Sequence, residues 1–238
     1  MIRDKIKNQE YFFHYLEKKE KLFKMMELAM EQRANADDFA GENDKGIINA
    51  YKGLSLNYIL YMIAQYSAGE SIEKIEKTYK KTLQYSEMIW KENSSYVDCL
   101  WLVSMGVLLD ISGEEIDLLN NIVKKNNKED KLINFFMEYL DKGKKGNQRY
   151  FMAMPYKQLD EYLEGVQRDV SLMEKYLDDY WYDSHNEMAW YDSHKDKGNT
   201  YCGYWSFETG AIAKILKLDD SSLRNVPYYP YDLVHYKE

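Results

Sequence analysis

The chain reads as an all-α protein, a two-part helical bundle, and three features of the sequence say so. Prolines number 3 and glycines 12 in 238 residues, too few turn-formers for a hairpin-rich sheet. Leucine, lysine, glutamate, methionine and tyrosine recur throughout, and apolar residues return at spacings of three and four.

The elements follow in order. Phe12, Leu16, Phe23, Met26 and Met30 form one stripe, so residues 3–33 are expected to be an amphipathic helix broken by ANADDFAGENDKG. Ile47–Ser67 is apolar on most sides and should be the central helix of its bundle. Gly69 supplies a stop and Ser71 an N-cap for a third helix with Ile72, Ile75, Tyr79, Leu83, Ser86 and Ile89 inward. A fourth, largely apolar helix runs from Tyr96 to Ile111, where Ser112 and Glu115 have capping-box spacing. Short helices follow near 115–125 and 129–141. The polar KKNNKED between them is the preferred boundary, dividing the chain into 1–126 and 127–238; GKKGNQR at 143–149 is a loop and the rival boundary.

Composition narrows the function. A net charge of −8 argues against a nucleic-acid binder and leaves a basic protein partner open. Cys99 and Cys202 do not make a disulfide scaffold or a zinc knuckle, and read as reduced thiols. MIRDKIKNQEYFF lacks the apolar core of a signal peptide, and no apolar stretch approaches the roughly twenty residues that span a bilayer. The expectation is a soluble cytoplasmic protein without membrane contact. Residues 156–196 contain eleven acidic and four basic side chains, threaded with tyrosine and tryptophan, and hold almost all the charge imbalance. Two readings stand: a solvated helix face over packed tyrosines, or an acidic, aromatic surface for a cationic partner.

Within that segment WYDSHNEMAWYDSH says nearly the same thing twice. Helix-borne metal sites place ligands three or four residues apart on one face. His185 and His194, like Asp183 and Asp192, are nine apart, about half a turn out of phase on one helix. Only a break near Ser184 or Asn186 would bring them together. The expectation is no metal and no cofactor, with Trp181 and Trp190 anchoring the segment and the Asp-Ser-His triplets facing water. No GxSxG, P-loop or GxGxxG motif appears, so no catalytic residue is assigned.

Near the carboxy terminus Tyr204–Leu218 reads as a helix with Trp205, Glu208, Ile212 and Ile215 in one stripe. Glu208 therefore lies among apolar neighbours and needs partners, an ion pair or tyrosine hydrogen bonds. Asp219, Asp220, Ser221 and Ser222 offer a cap, and Pro227 and Pro230 are expected to stiffen YYPYD into an extended tail.

GYWSFE, AIAKIL, LDDSSL and YYPYDLVHY, in that order, resemble the carboxy-terminal domain of the PoNi-type immunity proteins, which protect bacteria against PoNe-type DNase toxins. The preceding PYKQLDEYL and KYLDDYWY share the resemblance, and LSLNYILYMIAQYSAGESIEKI is similar to that family's first domain. The doubled WYDSH departs from the single WY expected there. The resemblance implies a two-part helical inhibitor, not an enzyme, acting in the cytoplasm against one toxin. A DNase presents positive charge to the phosphate backbone, so its blocker needs the opposite sign. Local charge density then nominates Asp160, Glu161, Glu164, Asp178, Asp179, Asp183, Glu187 and Asp192 as the toxin-binding surface, with Tyr180, Tyr182 and Trp190 as anchors. The motif residues Tyr204, Trp205, Glu208, Tyr229, Pro230 and Tyr231 are expected to be architectural. The rival readings are a metal-dependent hydrolase built on Asp183, His185, Asp192 and His194, and a helical adaptor joining two proteins.

Overall fold

The structure, a computed structural model, describes residues 1–90, 94–126, 129–142 and 148–237. These contain ten α-helices and short 3₁₀ turns, and no strand among the described residues. Packing divides the chain into two units, Met1–Lys91 with Gly198–Gly203, and Glu92–Lys197 with Tyr204–Glu238.

In the first unit α1 (Gln9–Ala34) opens on Asn8, whose side chain accepts from the Tyr11 amide at 2.9 Å. It buries Phe12, Tyr15, Leu16 and Phe23, while Met26 and Met30 are only half-buried. α2 (Lys45–Ala68) is capped by Asp44, which accepts from the Gly46 and Ile47 amides and pairs with Arg33. The Arg33 guanidinium holds this carboxyl far below the usual carboxylate range. Packed against both α1 and α3, α2 is buried on most sides, which is why its sequence lacks a polar face. Phe23 stacks on Tyr58 at 3.9 Å, and Ser55 meets Ser86 at 2.8 Å. Gly69 ends α2 at φ +80, its amide and that of Glu70 returning to the last turn, and Ser71 caps α3 (Ile72–Ile89).

The same unit takes in a strap from much later in the chain. Tyr201 and Cys202 are buried there. The Tyr11 hydroxyl donates to the Tyr201 carbonyl at 2.8 Å, the Ser67 hydroxyl donates to the Cys202 carbonyl at 2.7 Å, and the Tyr201 hydroxyl donates to the buried Asp4 carboxylate. By packing, the strap Gly198–Gly203 belongs with the first unit. Backbone carbonyls of residues 201 and 202 have their donors in the first unit, whereas α4 buries its apolar surface in the second.

That second unit is built around α4 (Tyr96–Leu108), where Cys99, Leu100, Leu102, Val103, Met105, Val107 and Leu108 are fully buried. It packs against α5 (Glu114–Asn126), α6 (Lys131–Leu140) and α9 (Phe207–Leu216). Lys214 donates to the Leu108 carbonyl and pairs with Asp110, and Lys237 donates to the Leu109 carbonyl, so two ammonium groups complement the negative end of α4. α6 is capped by Asp130, which also accepts from the Phe151 amide. GKKGNQR lies largely outside the described residues. α7 (Asp160–Leu163) and α8 (Ser171–Tyr176) are short.

Two expectations about the carboxy-terminal stretch are corrected. α9 spans Phe207–Leu216, not Tyr204–Leu218, because the Ser206 amide bonds the Tyr228 carbonyl and the helix ends at Lys217 in the left-handed region. YYPYD is not extended: a 3₁₀ turn at Ser221–Asn225 leads into α10 (Tyr231–Val234), begun by Pro230. Pro230 packs over Gly210, where an added Cβ would stand 2.6 Å from its ring. Tyr229 is drawn inward by the buried Asp220, to which its hydroxyl donates at 2.6 Å.

Tyr201→Ala is expected to cost the first unit about 3–5 kcal/mol by emptying a buried ring and stranding the Asp4 carboxylate. Hydrogen exchange should show α1 and α2 losing protection; losses confined to α4–α9 would contradict the assignment of this strap.

Candidate functional site

The acidic, aromatic segment is organised from below by one carboxylate. Glu208, on the first turn of α9, is 1% exposed. Its Oε1 accepts from Trp181 Nε1 at 2.7 Å, Ser206 Oγ at 2.7 Å and the Tyr176 hydroxyl at 3.3 Å. Burial raises its pKa, and the donors from Ser206, Trp181 and Tyr176 oppose that rise.

Trp181 reaches Glu208 because α8 runs into a π-helical turn, Leu177–Trp181. The wider turn buries Leu177 and Trp181 and leaves three consecutive side chains, Asp178, Asp179 and Tyr180, outside. A 3₁₀ turn at Asp183–His185 and further turns through residue 191 then fold the chain back.

The two WYDSH copies consequently stack on one another in register. Trp181 lies against Trp190 with ring centres 5.5 Å apart at 24°, and Tyr182 against Tyr191 at 4.6 Å and 28°. Each tyrosine also meets the other copy's aspartate. The Tyr182 hydroxyl donates to Asp192 at 2.9 Å, and the Tyr191 hydroxyl, raised first by partial burial, is raised further by the charges of Asp183 and Asp192. The break in the helix between the two copies is what makes this pairing possible.

The histidines are tied into the same layer, contrary to the expectation that both triplets face water. His185 is 1% exposed, its Nδ1 against the Trp181 carbonyl and its Nε2 3.0 Å from the Tyr156 hydroxyl. Burial lowers its pKa. His194 is half-buried, with Nδ1 2.9 Å from the Tyr204 hydroxyl. Among the described residues no group of three or more His, Cys, Asp or Glu side chains is placed to hold a metal ion.

The nominated positions fall into distinct settings. Asp160 and Glu164 both pair with Lys131, at 2.6 and 2.9 Å. Asp192 is half-buried between Tyr182 and Lys195. Tyr182 and Trp190 are half-buried in the stack, and Tyr180 is exposed. Asp178, Asp179, Asp183 and Glu187 are exposed and form no ion pair among the described residues, and Glu161 is exposed on α7. Of the motif residues, Tyr204, Glu208, Tyr229 and Pro230 are buried, and Trp205 and Tyr231 are half-buried.

One residue of this layer escaped the sequence reading. Tyr228 has φ +67, a conformation uncommon for a non-glycine residue. It lies 4.8 Å from Trp181 and stacks on Tyr182 at 5.8 Å and 10°. Burial raises its pKa first, and the charge of Asp183, then Tyr204 and Asp178, adds to it. The only signal was its place in YYPYD, and nothing local in that string announces a left-handed tyrosine.

Fold and site together define a class: a helical protein whose buried Glu208 and His185 are held by tyrosine, tryptophan and serine partners. The chain belongs to the PoNe immunity proteins, PoNi. The family's amino-terminal model matches residues 3–121 and its carboxy-terminal model residues 128–233. Its members are inhibitors and not enzymes, so the chain is an immunity protein directed against a PoNe nuclease toxin. Among solved structures it is similar to protein PA2201 from Pseudomonas aeruginosa, with a TM-score of 0.65 and 17% identity over 99% of this chain and 98% of that one. That likeness is one of fold. No curated protein matches the chain. No helix among the described residues is long and apolar enough to cross a membrane.

Glu208→Ala should lower stability by about 3 kcal/mol, because the Trp181, Tyr176 and Ser206 donors lose a buried acceptor. Glu208→Gln, which keeps an oxygen there, should lose less; equal melting temperatures for all three proteins would contradict this account. His185 gives a pH dependence of definite sign. Its folded pKa lies below 6.5, so as pH falls through 6.5 the unfolded chain gains a proton that the folded chain resists. The associated stability is full above that value and declines below it, by up to about 1.4 kcal/mol per pH unit until the folded pKa is reached. Calorimetry from pH 8 to 5 should show this slope in the native chain and a shallower one in His185→Asn.

Proposed function

We propose that the chain neutralises its nuclease through the outer face of the stacked WYDSH layer, where Asp178, Asp179, Asp183 and Glu187 meet the positive surface that the toxin offers to DNA. The observation that carries this reading is the partition of charge. Asp160, Glu164 and Asp192 have lysine partners, whereas these four carboxylates are exposed and form no ion pair among the described residues. Uncompensated carboxylates accelerate encounter with a cationic groove and select against neutral partners.

Tyr180, 37% exposed beside Asp179, is the accessible aromatic anchor, while Tyr182, Trp190 and Tyr228 form the floor beneath. Aromatic side chains held rigidly lose little entropy when a partner covers them. A nuclease acting on the chromosome must be stopped in the cytoplasm, so the proposed compartment is the cytoplasm. The reaction asked of the chain is binding alone, with no cofactor.

Replacing Asp178, Asp179, Asp183 and Glu187 together by lysine should slow association with the cognate PoNe toxin at least tenfold and remove most of its salt dependence, with melting temperature little changed. Surface plasmon resonance at two ionic strengths, alongside rescue of cells expressing the toxin, measures this. Unaltered association and full rescue would place the interface elsewhere.

A further inference from the structure

Tyr228 closes one end of the aromatic stack in the second unit. Among the described residues its ring meets Trp181 at 4.8 Å and Tyr182 at 5.8 Å and no other ring. Tyr191 meets Tyr182 at 4.6 Å and does not meet Tyr228. Tyr191 and Tyr228 therefore flank Tyr182, and the half-buried Tyr228 ring has a face turned away from the stack.

The backbone gives no reason for a tyrosine here. At φ +67 glycine or asparagine would sit more easily, and a bulky residue held in this region is strained. Its carbonyl accepts from the Ser206 amide at 2.8 Å, a bond that any residue would make. Its hydroxyl has no hydrogen-bond partner among the described residues. What the side chain adds is a flat ring packed against Trp181.

The charges around this ring set it apart. Elsewhere the chain covers tyrosine rings with its own cations: Arg3 lies over Tyr66 at 4.6 Å, Lys19 over Tyr15 at 5.2 Å and Arg224 over Tyr231 at 5.3 Å. No cation lies over Tyr228 among the described residues. Burial raises its pKa first, and Asp183, Tyr204 and Asp178 add to the rise, so the phenol stays neutral in a negative field. Asp178 and Asp183 are exposed and form no ion pair among the described residues. Asp183 accepts from the Tyr191 hydroxyl, which leaves further acceptor sites on its carboxylate. Ring and carboxylates together favour a cation from outside the chain.

We infer that an arginine of the nuclease takes this place, its guanidinium flat on the outer face of Tyr228 and its N–H groups donating to Asp183. A planar guanidinium stacks on a ring and bonds a carboxylate in its own plane at the same time. It also sheds water more readily than an ammonium, so lysine fits less well. Arginine is among the residues with which a nuclease holds the phosphate backbone. The inference rests on the proposed toxin-binding face and names what that face grips.

Hexa-arginine and hexa-lysine, peptides of equal charge, separate recognition by the ring from attraction by charge when titrated against the full chain and followed by tryptophan fluorescence. The native chain should bind hexa-arginine about fivefold more tightly than hexa-lysine. Tyr228→Gly, which suits the left-handed backbone, should remove that preference, and Tyr228→Phe, which keeps the ring, should retain it. With the cognate PoNe toxin, Tyr228→Gly should raise the dissociation rate about fivefold and leave the salt dependence of association as it is. Equal binding of the two peptides by the native chain, loss of the preference in Tyr228→Phe, or an unchanged preference and dissociation rate in Tyr228→Gly would overturn the inference. Each of these leaves the face itself intact, because the variant with all four carboxylates replaced by lysine tests the face through association. If that variant associates normally, the face and the arginine site fall together.

Discussion

A single buried carboxylate sets the geometry of the acidic half of this protein. Glu208 sits at the bottom of α9 with no cation beside it, so its stability depends on neutral donors arriving from elsewhere in the chain. Trp181 is the most demanding of these, since its indole has one N–H and must point it inward. The π-helical turn before Trp181 satisfies that demand and, in the same step, turns Asp178, Asp179 and Tyr180 outward. The Trp190 and Tyr191 rings then close over Trp181 and Tyr182, and His185 is sealed beneath them. An internal hydrogen-bond requirement thereby decides which side chains of this segment are exposed.

Charge is handled with the same economy of structure. The segment from 156 to 196 is strongly acidic, yet part of that charge is internal: Lys131 sits between Asp160 and Glu164, and Lys195 neutralises Asp192. What is left for the proposed interface is a compact group on a rigid aromatic floor. A rigid floor matters because binding then orders few side chains, and the electrostatic attraction is not offset by lost freedom. PoNi membership supplies the partner class, and the face turned to that partner is the one proposed above.

The fold shared with PA2201 at 17% identity fits this picture. Helix packing asks for apolar residues of suitable size at suitable spacing and tolerates wide substitution, whereas surface carboxylates are free to differ. The strap at 198–203 shows a different kind of constraint. Its backbone carbonyls are fixed by Tyr11 and Ser67 and its Tyr201 hydroxyl by Asp4, residues more than one hundred positions away in the chain.

The sequence alone determined the helices and their caps, since apolar periodicity, Ser71 and Gly69 are local signals that act within a few residues. It also carried the family, through GYWSFE and YYPYDLVHY, and the need of Glu208 for partners, because a carboxylate in an apolar stripe has no other stable state. Only tertiary structure decided who those partners are, how the two WYDSH copies meet, why Tyr228 adopts a left-handed backbone and where the strap belongs. Each of those depends on a chain reversal or on contacts between distant segments, and spacing along one helix holds no record of either. The bend of YYPYD was missed for the same reason: Asp220 and Gly210, not the prolines alone, determine where Tyr229 and Pro230 come to rest.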